Sequence, residues 1–299
     1  FGMDLRLFDN KLSIDATYYD NETVGDIVGV SASATSGYNS ALANLGEISN
    51  KGIELLVKWT LRQTAAFAWN ATLNYTNNES KVVATNDTGG NISMDEPRSR
   101  NLRVTHIVGE KYGALYGSSF VRDTNGAIVH EMVNGIPIPK VGPRKILGFG
   151  VAPTQLGIGS NFRYKDFDAG FLIEGKMGGQ IYSGSNAYLK RNGHHKSTVP
   201  AGGREGGWVP TGVMEGGGAV TTSIPAAQQE DYYRRSYLIA EQDVIDSDYM
   251  RLRQLSIGYT IPSDKLQGTF IDKATVSLIG RNLFFLSNNV DNVDPESAY

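Results

Sequence analysis

The densest collection of groups able to hold a solute lies between residues 182 and 237. Tyr182, Tyr188, Arg191, Arg204, Trp208, Tyr233 and Arg234, with Tyr232, Arg235 and Tyr237 among them, combine flat π faces with fork-shaped guanidinium donors. Such groups suit sugar rings, peptide backbones and carboxylates, and the first seven are the candidate substrate-binding residues. The same side chains also serve to pack a long loop or meet a partner protein. Covalent chemistry finds no comparable set. The chain has no Cys, and its His are His106, His130, His194 and His195, none in an H-E-x-x-H pattern. G-x-x-x-x-G-K-[ST] and G-x-S-x-G are both missing. Gly157-Ile-Gly159-Ser-Asn lacks the third Gly of a dinucleotide loop and sits in a strand-like stretch. His194-His195 reads as a solvated pair in a Gly-rich loop rather than a metal site. Asp123-Thr-Asn125-Gly126 opens like a calcium loop, but residue 134 is Asn where the bidentate Glu is required. A hairpin turn is the better reading. No catalytic residue, metal site or cofactor is expected. The sequons at Asn21, Asn70, Asn74, Asn78, Asn86 and Asn91 read as parts of Asn- and Thr-rich faces and loops.

The elements that position these residues are strands. Met3, Leu5 and Leu7 alternate with Asp4 and Arg6; Leu12, Ile14, Ala16 and Tyr18 alternate with Ser13, Asp15 and Thr17. The same period of two recurs over 53–59, 67–76, 158–164, 167–177, 248–261 and 273–285. The net charge of −3 lacks the cationic excess of a nucleic-acid binder. No apolar run approaches the roughly 18–20 residues of a membrane helix.

The connections carry the second signal. Asp9-Asn10, Arg62-Gln-Thr64 and Lys165-Asp166 are short turns and 262–268 is a medium one. They alternate with long loops at about 21–49, 79–153, 183–247 and 286–299. A soluble β-sandwich explains the alternation but not this asymmetry. A transmembrane β-barrel does, with short periplasmic turns, long extracellular loops and strands of about 9–11 residues. Asp4, Arg6, Asp15, Glu54, Lys58, Arg163, Glu174 and Lys176 then face a wet lumen. Trp59, Trp69, Tyr75, Tyr164, Tyr182, Tyr249 and Tyr259 suit interfacial girdles. Eight strands close a small barrel or form an arc of a larger one. The first strand leads into a short turn and the last into a loop, which predicts further strands on both sides.

Several stretches resemble the SusC/RagA-type TonB-dependent outer-membrane transporters of Bacteroidetes. Asn44-Leu-Gly46-Glu-Ile-Ser-Asn50-Lys-Gly52-Ile-Glu54 is similar to that family's strand-entry signature. Tyr164-Lys-Asp-Phe167 with Gly178-Gly179-Gln-Ile-Tyr182 resembles its hairpin, and Arg204-Glu-Gly-Gly-Trp208 a loop motif. Asp248-Tyr-Met-Arg-Leu-Arg253 resembles a late strand. Ser277 to Leu283 followed by Asp294-Pro295-Glu296 resembles the penultimate strand and last loop. The resemblance implies an all-β antiparallel barrel of about 22 strands with an N-terminal plug, of which residues 1–299 form the C-terminal part. It implies an outer-membrane, non-enzymatic protein that imports an oligosaccharide or oligopeptide, energised by TonB. A SusD-like surface lipoprotein would form its lid, and two such pairs would associate. An adhesive or structural barrel without transport is the alternative. An outer-membrane lipase or protease requires a Ser/His/acid cluster that the sequence does not assemble.

Overall fold

The computed structural model describes residues 1–31, 40–85, 90–94 and 101–296. Eight strands form one antiparallel sheet in sequence order: β1 (Gly2–Leu7), β2 (Leu12–Ser31), β3 (Ser40–Gln63), β4 (Phe67–Ala84), β5 (Thr154–Tyr164), β6 (Phe167–Met177), β7 (Tyr249–Ile261) and β8 (Ala274–Asn288). Leu5, Ile14, Val57, Leu73, Ile158, Ile173, Leu252 and Phe284 are successive cross-strand partners from β1 to β8. Directly opposed residues share a face, so every strand contributes an apolar residue to this row. One residue along, Arg6, Ser13, Lys58, Thr72, Gly159, Leu172, Gln254 and Arg281 form the row on the other face. Only Leu172 is apolar there beyond a glycine. The register places all eight charged residues expected in the lumen on this second face.

Among the described residues, no second layer covers the apolar face. Ile53 is 51% exposed, Ile257 55% and Leu278 77%. A sandwich would bury these residues; a bilayer leaves them open until lipid covers them. The sheet is not closed on itself, because β1 and β8 occupy its two edges. It is therefore an arc of a larger barrel, not a small eight-stranded one. β5 and β6, 11 residues each, match the span of a tilted transmembrane strand.

The turn end of the sheet is tight. Lys165 adopts a left-handed φ of 53° in the two-residue turn between β5 and β6. Aromatic side chains collect just above these turns. Trp69 stacks on Phe162 with ring centroids 5.4 Å apart, and Phe167 lies 4.7 Å from Tyr259. The Trp69 indole donates to the Ser160 hydroxyl at 3.0 Å, which satisfies both groups on a lipid-facing surface. Trp59, Trp69, Tyr164 and Tyr259 thus lie on the apolar face as a girdle requires, and Tyr75 lies on that face nearer the loop end. Tyr182 and Tyr249 do not join it. Tyr182 packs in the loop layer, and Tyr249 is buried on the lumen side.

The loop end departs from expectation. Residues 21–31 and 40–49, read as loop, are a strand pair that continues β2 and β3, with Ser31 opposite Ser40. Backbone pairing extends the ribbon where no hydrophobic pattern marks it. The loop tip at 32–39 and the Asn86 sequon lie outside the described residues. The segments 79–153 and 183–247 interlock as a folded cap. Its strands at 92–93, 102–106, 114–120 and 141–149 form one small sheet; strands at 129–133, 136–139 and 213–214 form another. The helices are α1 (Gly184–Arg191) and α2 (Gln229–Ser236). The buried cores sit here rather than in the barrel sheet. One is Ile136, Ile138, Ile224 and Tyr232; the other is Leu102, Leu115 and Ala240.

Candidate functional site

Two groups of polar and aromatic side chains gather at the loop end of the sheet. The first is on the lumen wall. A bulge at Arg253 interrupts the pairing of β7 with β6, since Leu252 opposes Ile173 while Gln254 opposes Leu172. Tyr249, Arg251 and Arg253, spaced two apart, share the lumen face and reach the same carboxylate, and the extra residue shifts the alternation only beyond Arg253. Glu296 accepts from Arg251 Nη1 at 2.5 Å, from Arg253 Nη1 at 3.0 Å and from Arg253 Nη2. The Tyr249 hydroxyl donates to it at 2.5 Å. Arg251 also holds Asp294 at 2.6 Å, and Arg253 holds Glu174 and Asn282, each at 2.6 Å. Arg251 lies 3.8 Å over the Phe285 ring. The Arg253 hydrogen bonds, opposed by desolvation and helped by Tyr249 and the Arg charges, hold the Glu296 carboxyl at about 2. Residues 289–296 are thereby strapped to the wall. At its other end the strap meets α1, where Asn186 Nδ2 donates to the Asp291 carbonyl at 3.0 Å and Lys196 pairs with Asp291 at 2.6 Å.

The second group holds the sequence-predicted residues, and the structure divides them. Trp208, Tyr232 and Tyr233 come together: Trp208 meets Tyr232 edge-on at 5.0 Å and stacks on Tyr233 at 6.4 Å, against the Ile136–Ile138–Ile224 core. Burial raises the Tyr232 and Tyr233 hydroxyls, with the Arg204 charge opposing at Tyr233. Arg204 donates to the Gly193 carbonyl and, at 3.2 Å, to Thr198 Oγ1. Tyr188, Arg191 and Tyr237 form a separate cluster. The two Tyr rings lie 5.4 Å apart and Arg191 sits 5.1 Å from the Tyr237 ring. Burial first, then the Tyr188 hydrogen bond, pushes Tyr237 up to about 12. Tyr182 packs under the Leu102–Leu115–Ala240 core. Arg234 points outward to Glu230 at 3.1 Å, and Arg235 pairs with Asp231 at 3.2 Å. Most of these groups already have partners inside the cap, and Tyr188, 45% exposed, is the aromatic most available to a solute.

The remaining motifs resolve locally. His195 Nδ1 accepts from the Ser197 backbone N–H at 3.1 Å, closing a short turn. Among the described residues, no group of three His, Cys, Asp or Glu is arranged to hold a metal ion. Asp123 Oδ1 accepts from the N–H groups of Asn125 and Ala127 at 2.9 and 2.8 Å, shaping a hairpin turn with Gly126 in the left-handed region. The Arg251–Arg253–Glu296 set was not among the predicted site residues. Glu296 lies more than forty positions from either Arg in sequence, and the Arg-Leu-Arg spacing with Asp-Pro-Glu was the one visible trace.

Residues 1–283 match the family model described as TonB dependent receptor-like, beta-barrel. The chain is 26% identical over 319 residues to TonB-dependent receptor P3 of Formosa agariphila, covering all of this chain and 30% of that receptor. It is 24% identical over 193 residues to TonB-dependent receptor SusC of Bacteroides thetaiotaomicron, covering 60% of this chain and 19% of SusC. In fold it is similar to the RagAB peptide importer in its closed-closed state, with a TM-score of 0.71 and 17% identity, over 99% of this chain and 32% of that one. The chain thus spans about a third of the P3 receptor and of the RagAB importer chain, and about a fifth of SusC is covered by the match. With its apolar outer face, polar inner face and folded loop cap, it belongs to the TonB-dependent receptor-like β-barrel family of the outer membrane.

Proposed function

We propose that this chain supplies wall and loop cap to a TonB-energised importer of an oligomeric nutrient, an oligosaccharide or an oligopeptide. The observation that carries the reading is the separation of faces. A barrel arc with a largely apolar exterior and charged or amide side chains inside is built to pass a hydrated solute through a bilayer. The cap stands over the loop end, where a SusD-like lipoprotein lid would seat. Chemistry on the solute is not required of any residue; the work comes from TonB through a plug outside this segment. Relatives named as TonB-dependent receptors and a fold neighbour named as a peptide importer support the reading.

The test uses the full-length protein in its own membrane. Cells with and without TonB are given labelled oligosaccharides and oligopeptides, and the full-length protein is purified to identify lipoproteins that accompany it. Uptake that needs both TonB and this protein supports import. Normal uptake after deletion, with adhesion lost instead, supports the adhesive alternative.

A further inference from the structure

The lumen wall carries a recess of about 150 Å³ on β4 to β7, below the strap. Two cross-strand rows frame it. Asn74, Gly157, Glu174 and Arg251 are successive partners in one, and Thr76, Gln155, Lys176 and Tyr249 in the other. Gly157 opens the recess, because any side chain there would project between Asn74 and Glu174. A Cβ at Gly157 would meet Asn74 Cβ at 3.6 Å, an ordinary contact, so a side chain could enter the recess there without a clash. By contrast a Cβ at Gly258 would lie 1.9 Å from Asp168 Oδ2. Glu174 is committed to Arg253 and Tyr249 to Glu296. These ties fix the far wall of the recess and leave Asn74, Gln155 and Lys176 directed at its opening.

We infer that this recess is a hydrogen-bonding subsite for one ring of a neutral saccharide, formed by Asn74, Thr76, Gln155 and Lys176 and opened by Gly157. The inference rests on the import reading and narrows its solute. Each amide offers two donors and a two-lone-pair acceptor, and Thr adds a hydroxyl. That combination matches vicinal ring hydroxyls, each of which both donates and accepts. A recess of about 150 Å³ is on the scale of a single ring rather than a chain. A peptide side chain of apolar type finds no partner here, because Leu156 contributes only backbone: its side chain belongs to the lipid face, in register with Tyr75 and Leu55.

The test is native mass spectrometry and titration of the full-length transporter with two probes, short neutral oligosaccharides and tryptic casein peptides. Wild type, Gly157→Leu, which fills the recess, and Asn74→Leu, which removes its amide, are compared. Oligosaccharide binding weakened roughly ten- to hundredfold by either variant, as expected for a few neutral hydrogen bonds, supports the subsite. If Gly157→Leu fails to assemble, the Asn74→Leu result decides. Unchanged oligosaccharide binding in the assembled variants, or wild type binding peptides alone, overturns it. TonB-dependent uptake is measured in parallel: saccharide uptake that persists with the recess filled removes the subsite and leaves import standing, whereas no uptake of any solute by wild type removes import itself.

Discussion

Replacing Glu296 with Ala removes the carboxylate on which Arg251, Arg253 and Tyr249 converge. Four bonds are lost, all of them charge-assisted because the acceptor is a carboxylate. The Arg251 side chain is only 10% exposed and that of Arg253 22%, so solvent does not replace them freely. Orphaning a buried charge costs about 3–5 kcal/mol. Here Arg251 keeps Asp294, and Arg253 keeps Glu174 and Asn282, which brings the expected cost down to about 2–3 kcal/mol. At tenfold per 1.4 kcal/mol, local opening of the 289–296 strap should rise roughly 30- to 150-fold. Hydrogen exchange on the full-length receptor in detergent reads this directly at the Glu296 N–H, which Asp294 Oδ1 accepts at 2.9 Å, and at Val290. The pH dependence follows with a defined sign. The Glu296 pKa is lowered from 4.5 to about 2, so its contribution is complete above about 4.5 and is lost as pH falls toward 2. Exchange in the strap that is unchanged by Glu296→Ala, or a strap that loosens on raising pH through neutrality, refutes the reasoning.

Three further outcomes test other layers. Val57→Arg, within the apolar row of β3, should lower barrel stability in refolding titrations by up to about 2–4 kcal/mol, the midplane cost; Lys58→Gln, one step along on the lumen face, should change it by less than about 0.5 kcal/mol. Trp208→Ala opens the cap core around Ile136 and Ile224 and should cost about 2–3 kcal/mol, less than a fully buried Trp. It is read as faster proteolysis within 200–240 while the barrel stays intact. Gly52→Val should impair barrel assembly, because a Cβ there meets Tyr19 Oη at 2.4 Å and the Asn77 carbonyl at 2.5 Å; loss of the heat-modifiable band on gels reports it.

The barrel was legible in the chain because strand faces alternate one residue at a time. Leu12, Ile14 and Ala16 against Ser13 and Asp15 needed no distant information, and the loop asymmetry followed from where the alternation paused. What escaped was held by contacts that leave no local period. The ribbon at 21–31 and 40–49 is paired through its backbone, and its apolar residues do not keep a strict period of two, so it reads as loop. The cap core joins Ile136 to Ile224 and Tyr232, and Asn101 to the Tyr237 carbonyl, across long sequence separations. Within the candidate site, the aromatic and Arg residues of 182–237 fall into separate clusters of the cap. Their types did not separate residues that knit the cap, such as Trp208 and Arg204, from those left to the solvent, such as Tyr188. Tyr249 was placed in a girdle from its position at a strand end; its hydroxyl instead meets Glu296, because the β7 bulge changes which residues near it face inward. The recess on the wall depends on what is missing at Gly157, and an absent side chain announces itself only once its neighbours are placed.

The most direct test of the account is a paired labelling scan. Nitroxide labels at single introduced Cys residues along β3 and β4, in a full-length receptor in which any Cys outside this Cys-free chain has been replaced, can be compared in liposomes. Labels at Leu55, Val57, Leu73 and Tyr75 should be open to oxygen and shielded from a water-soluble nickel chelate, and labels at Glu54, Lys58, Thr72 and Asn74 should show the reverse. Equal access to the chelate at both sets of positions would contradict a wall with lipid on one side and water on the other.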